Sequence, residues 1–176
     1  MSNTDTIKIN RAPVLTLWAA IVAQRLGFDH DEALTLGRAL AGLNAQAKGQ
    51  RLGIFEPTSE GLKEIRHEQP SGEIHVALLG RAIPAVVTVD GLRAMEKGKP
   101  SNPASVEKYL KSKFGEHLQA VETAMAELAK SVSKSELAAT GFKMYEAFRP
   151  AIPDGGQGWG AKGELDLAAI RKAAGS

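Results

Sequence analysis

Basic side chains that could contact phosphate recur through the first half of the sequence. Lysine and arginine neutralise phosphate charge, and proteins that bind duplex DNA usually gather them on one face. An arginine at the tip of a two-residue hairpin turn can also enter a minor groove, although hairpin tips are polar for solubility as well. The residues predicted to contact nucleic acid lie along and after a second helix, in a short helix behind it and at a hairpin tip: Arg38, Lys48, Arg51, Lys63, Arg66 and Arg81.

A glycine-rich segment at 155–163 precedes the last predicted helix, where unpaired backbone N–H groups could hold an anion. A phosphate-binding loop needs a lysine directly after its last glycine and then a hydroxyl residue. Here Ala161 precedes Lys162, and Gly163 follows it. The segment therefore predicts an exposed loop, fixed to the helical core by Trp159, and no nucleotide or other cofactor.

The four histidines are scattered along the chain, and no two have the spacing of metal ligands on one helix. Cysteine is absent, which excludes thiolate metal sites and cysteine nucleophiles. The sequence also contains no nucleophile elbow and no adjacent carboxylate and histidine motif of a recognisable type. We therefore assign no catalytic and no metal-binding residue, and a non-catalytic protein is favoured over an enzyme.

Composition indicates an ordinary globular protein. The 22 basic and 20 acidic residues give a formal net charge of +2, and 43% of the 176 residues are hydrophobic. Such a balance disfavours a dedicated nucleic-acid binder without excluding it. The N-terminus is polar and contains Asp5, and the apolar run behind it ends at Arg25, too soon for a membrane span. We expect no membrane contact and, without cysteine, a cytoplasmic location.

The stretch from Arg11 to Gly49 predicts a central pair of antiparallel helices, at 13–26 and 30–48. The first has no charge between its flanking arginines, so Trp18 should be buried. The second opens with a capping box formed by Asp29 and Glu32. Its interior glycines, Gly37 and Gly42, each cost about 1 kcal/mol relative to alanine, so both should pack closely against a neighbouring backbone.

Beyond the helix pair, the pattern predicts an α+β fold that is mostly helical. The N-terminal helix pair is followed by a small antiparallel hairpin, with Gly80 and Arg81 as its turn and with Pro84 at a sheet edge or bulge. Breakers near residue 100 divide a region 1–99 from a C-terminal helical bundle at 100–176, and the two should share one core. The further elements predicted are a strand at 52–55 and helices at 59–67, 103–114, 118–132, 133–148 and 165–174.

The N-terminal half resembles a rearranged winged-helix domain. Ala23 and Gly27 have the spacing of the small residue and the turn glycine in a helix-turn-helix, and a hairpin follows downstream. The resemblance implies duplex DNA as a partner. However, the second helix begins with Asp31 and Glu32, whose carboxylates would repel phosphate and suit the helix dipole instead.

Two further stretches, 11–20 and 158–163, resemble a family of small uncharacterised soluble bacterial proteins. That resemblance implies no particular activity and no particular site.

The alternative is a non-catalytic protein that binds a protein partner or forms a homodimer through its C-terminal helices. Apolar residues recur there at helical spacing, and aromatic residues nearby could be exposed. The same pattern also suits an intramolecular core. The residues concerned are Leu118, Val121, Met125 and Leu128 for the seam, and Tyr109, Tyr145 and Phe148 for the aromatic group.

Overall fold

The computed structural model describes residues 6–51, 73–96, 99–150 and 163–174. These residues form the predicted α+β fold, with an N-terminal helix pair, a small antiparallel sheet and C-terminal helices. The strands are β1 (Thr6–Ile9), β2 (Glu73–Leu78), β3 (Arg81–Thr88), β4 (Gly91–Glu96), β5 (Lys99–Pro100) and β6 (Gly163–Asp166). The helices are α1 (Arg11–Arg25), α2 (His30–Arg51), α3 (Pro103–Phe114), α4 (Leu118–Lys130), α5 (Lys134–Phe148) and α6 (Leu167–Ala173).

Helix α1 is the centre of the core, as its uncharged sequence predicts. Every residue from 13 to 23 is buried, and Trp18 has no exposed surface. The indole Nε1 of Trp18 donates to the carbonyl of Gly141 in α5 at 2.9 Å. Its ring also meets the ring of Phe148 edge-on, with centroids 5.3 Å apart. One polar and several apolar contacts therefore fix α1 against α5.

The α1 and α2 helices pack along their length, and the predicted capping box forms at the start of α2. The Glu32 N–H donates to Asp29 Oδ1 at 2.8 Å, and the Asp29 N–H donates to Glu32 Oε1 at 3.1 Å. A Cβ on Gly37 would overlap the Thr16 carbonyl, so close packing at this glycine is confirmed. The same prediction is wrong for Gly42, which is exposed and has open space around its Cα.

The hairpin forms one residue earlier than predicted. Its turn is Leu79 and Gly80, both with positive φ, while Arg81 already belongs to β3 and pairs with Leu78. A leucine in the left-handed region is unfavourable by roughly 1–2 kcal/mol. Here Leu79 is buried against Gly141, where a Cβ would overlap the leucine side chain. Burial against α5 therefore compensates for a turn that local sequence rules disfavour.

Pro84 lies in an inner strand, which contradicts its predicted edge position. The four-stranded sheet has the order β2-β3-β4-β5, and all pairs are antiparallel. Pairing between β3 and β4 begins only at Ala85, so the ladder stops beside the proline. The missing N–H of Pro84 consequently interrupts no hydrogen bond to β4.

Side chains of α2 cover the edge of β4. The Leu92 N–H donates to Glu32 Oε2 at 3.0 Å, and the Ala94 N–H donates to Thr35 Oγ1 at 3.0 Å. Glu32 thus caps its own helix with one carboxylate oxygen and binds the sheet with the other. Without these contacts, the N–H groups of Leu92 and Ala94 would be unpaired at the edge of β4. The two hydrogen bonds therefore fix the sheet onto the helix pair.

Four strands that the sequence analysis did not predict are present. Strands β1 and β6 pair antiparallel and bring the two ends of the described chain together, and β4 and β5 extend the hairpin sheet. The last helix is shorter than predicted because residues 163–166 form β6. Strands of two to six residues carry too little periodic signal, and the partners β1 and β6 also lie at opposite ends of the described chain.

The C-terminal helices begin where their caps predict. The Asn102 side chain accepts from the Ala104 N–H, and Ser133 Oγ accepts from the Glu136 N–H.

Of the aromatic group predicted to be exposed, Tyr145 and Phe148 are buried, so that prediction is wrong. One buried cluster includes residues on both sides of residue 100, from Ile7 to Ile170.

The predicted strand at 52–55, the predicted helix at 59–67 and the glycine-rich loop up to residue 162 lie outside the described residues.

Candidate functional site

The structure places few of the predicted nucleic-acid contacts. Arg38 is half-buried, and its guanidinium carbon lies 4.7 Å from the centroid of the Tyr109 ring, which joins α2 to α3. Arg81 is half-buried at the start of β3 and is not a hairpin tip residue. Lys48 and Arg51 belong to α2, but their side chains are outside the description, as are the whole of Lys63 and Arg66. A nucleic-acid interface therefore stays a prediction.

The acidic start of α2 faces the sheet. Besides the contacts of Glu32, the Asp31 carboxylate lies 4.0 Å from the guanidinium of Arg93, a buried side chain of β4. These carboxylates therefore have structural partners, as expected from their place at a helix N-terminus.

A groove of ≈ 680 Å³ lies between the C-terminal half of α1, the start of α2 and α4. Its volume is within the usual range for sites that bind small molecules. Ile21, Ala126 and Ala129 give it an apolar lining, and the remaining lining residues are Gln24, Arg25, His30, Glu122, Thr123, Lys130 and Lys134. Because the lining comes from three helices and the first residue of α5, no local sequence pattern predicts it.

Three cations line this groove, namely Arg25, Lys130 and Lys134. Within the described part of the chain, none of them has a carboxylate oxygen within the 4.0 Å of an ion pair. Among the described residues, the Nε of Arg25 is buried and has no hydrogen-bond acceptor. An unpaired buried donor costs about 1–3 kcal/mol, and a ligand in the groove could reach this atom only if the side chain moved, because the atom has almost no exposed surface.

One carboxylate lines the same groove. Glu122 is half-buried, and burial raises the pKa of its carboxyl above the ordinary value; the charge of nearby His30 lowers it again in part. His30 Nδ1 is in turn 3.2 Å from Gln24 Nε2. Among the described residues, Glu122 has no hydrogen bond and no ion pair. The groove therefore presents an excess of positive charge together with one available carboxylate.

A second polar cluster joins α1 to the end of α5. Arg11 Nε donates to the Pro150 carbonyl at 2.9 Å, and the Tyr145 hydroxyl lies 3.5 Å from the Arg11 carbonyl. Burial raises the pKa of Tyr145 to about 12. Burial and the neighbouring Arg149 lower the pKa of Arg11. Since the hydrogen bonds of this cluster run between these helices, its role is structural.

In the described ranges, no group of three or more histidine, aspartate or glutamate side chains could hold a metal ion. None of the described helices is both long and apolar enough to cross a membrane.

Comparison with protein-family models, with curated proteins and with solved structures finds no match for this chain.

Proposed function

We propose that this protein is a non-catalytic binding protein whose α1–α4 groove takes a small organic anion. The observation that carries the proposal is that Arg25, Lys130 and Lys134 line one groove, and that among the described residues none of them has a carboxylate within ion-pair distance. A carboxylate or phosphate group in the groove would supply that partner. Charge-assisted hydrogen bonds of this kind are about twice as strong as neutral ones.

The apolar lining favours an organic ligand over a bare inorganic ion. Ala126 is half-buried and Ile21 keeps 9% of its surface exposed, so these two side chains can contact a short aliphatic chain, whereas Ala129 is fully buried. Lys130 is exposed, so its contribution is screened by solvent and by salt. Binding should therefore be weak, should fall as salt rises, and should depend on the charge of the ligand.

The proposal is tested by titrating ¹⁵N-labelled protein with hexanoate and, as a cationic control of the same length, hexylamine. Hexanoate should shift the amide signals of Ala126 and Ala129, and hexylamine should bind less tightly. Arg25→Gln and Lys130→Gln should each weaken hexanoate binding about 1.5-fold to fivefold, the range for one partly exposed charge pair. Lys143→Gln removes an exposed charge outside the groove and should leave the affinity unchanged.

No shift of these amides by hexanoate, or equal binding of both probes, would refute the proposal. A weakened Lys143→Gln variant would show that only the overall charge matters.

A further inference from the structure

The acidic residue of the groove lies at a defined distance from one of its lysines. Glu122 and Lys130 are both on α4, eight residues apart, and both line the groove. At about 1.5 Å of rise per residue, their Cα atoms are roughly 12 Å apart along the axis. Ala126 also lines the groove and lies midway between them in sequence, and its side chain is only a methyl group.

The positive and negative side chains of the groove lie at different ends of α4. Lys134, the first residue of α5, follows Lys130 across a short connection, and Glu122 lies toward the other end of α4 beside His30. The charges of His30 and Lys111 lower the Glu122 pKa, and that of Glu107 raises it. Lys111 in turn lies 3.8 Å from Glu107. None of these groups forms an ion pair with Glu122 itself among the described residues.

We propose, on the basis of the function inferred above, that the ligand is a zwitterion: its carboxylate lies with the groove cations Arg25, Lys130 and Lys134, and its ammonium pairs with Glu122. An ammonium group is the partner that an available, half-buried carboxylate lacks, and its three donors suit an acceptor at the wall of an open groove. A carboxylate ligand without this group would leave Glu122 unpaired and repelled.

The geometry also sets the size of the ligand. The Cα atoms of Glu122 and Lys130 are roughly 12 Å apart along the helix axis, so a ligand that bridges the two side chains needs charged groups separated by several ångströms. This distance suits an amino acid whose amine is at the far end of a short aliphatic chain, or a dipeptide. An α-amino acid such as glycine is too short to reach both ends.

The test compares hexanoate with 6-aminohexanoate by the same amide titration. The wild type should bind 6-aminohexanoate about 1.5-fold to fivefold more tightly, as expected for one additional partly exposed ion pair. In Glu122→Gln the two acids should bind equally, whereas Glu127→Gln, an exposed glutamate of α4 outside the groove, should keep the preference. Glycine should not compete.

The Glu122→Gln variant could fail to fold, so a second test changes the ligand and uses only the wild-type protein. Replacing 6-aminohexanoate by 6-acetamidohexanoate removes the ligand's positive charge, so the preference over hexanoate should disappear in the wild type. If both acids bind the wild type equally, or if the preference survives in Glu122→Gln, the zwitterion inference is wrong and the anion-binding proposal stands. If neither acid binds, both are wrong.

Discussion

Gly37 sets how closely α1 and α2 can pack, because its Cα lies against the backbone of α1 at Thr16 and Ala20. Gly37→Ala should force the helices apart and lower the free energy of unfolding by about 1–3 kcal/mol, as overpacking does in other cores. Urea unfolding followed by circular dichroism measures the change.

Gly42→Ala is the matched control, since it adds the same methyl group to the same helix where nothing lies within 4 Å. Alanine there should raise the free energy of unfolding by up to about 1 kcal/mol through helix propensity. Equal effects of the two substitutions would show that helix propensity, and not the contact at Thr16, decides the role of Gly37.

Residues whose conformation depends on near neighbours could be predicted from the sequence. The capping box of Asp29 and Glu32 and the cap at Asn102 are local signals, and both form as expected. The turn at Leu79 could not be predicted, because the contact that compensates for its positive φ is with Gly141, far along the chain. A glycine followed by arginine remains the better local turn candidate.

At the scale of elements, α4 shows why an apolar pattern alone does not identify an interface. Val121, Met125 and Leu128 recur at helical spacing, and all three are buried within this chain, where they cannot contact a second copy. Met125→Lys should therefore prevent folding, because it places an unpaired charge at a site with no exposed surface. A folded monomer would have been expected if the seam were a dimer contact.

Circular dichroism and sedimentation distinguish the two outcomes. Gln119→Lys introduces the same charge at an exposed position of α4 and should remain folded. A folded, monomeric Met125→Lys protein beside a dimeric wild type would contradict this prediction and would restore the homodimer through the C-terminal helices.

The side chains that line the groove could not be predicted from the sequence. The positions of α1, α2 and α4 follow from periodicity and caps, but their packing decides which side chains line a common space. Arg25 and Lys130 are more than one hundred residues apart in sequence and meet only in the fold. Helix boundaries could be predicted, whereas the partners of each helix face could not.

At the scale of the whole molecule, the basic residues lie on several different surfaces. A formal net charge of +2 leaves little positive field for long-range attraction of a polyanion. Arg25, Lys130 and Lys134 line the groove, while Arg38 stacks on Tyr109 and Arg81 begins β3. Duplex DNA binding therefore requires its own test, separate from the groove.

For that hypothesis we expect weak, salt-sensitive binding, with Arg51 and Arg81 among the contacts. Each phosphate contact that is removed should lower the slope of log affinity against log salt by about 0.9. Because Arg81 lies in a strand and Leu79 of the adjoining turn is buried against α5, Arg81→Ala should change the salt slope without altering any preference for A·T-rich sites. Arg51→Ala should behave in the same way, and Arg25→Gln should have no effect.

Labelled A·T-rich and G·C-rich duplexes, titrated at two salt concentrations, measure these slopes for the wild type and the three variants. Loss of A·T preference in Arg81→Ala alone would mean that this arginine enters a minor groove despite its place in β3. If the wild type does not bind at ~50 mM salt, where counterion release favours association strongly, no DNA function remains for these arginines. The resemblance to a winged helix would then reflect only how α1, α2 and the hairpin pack together.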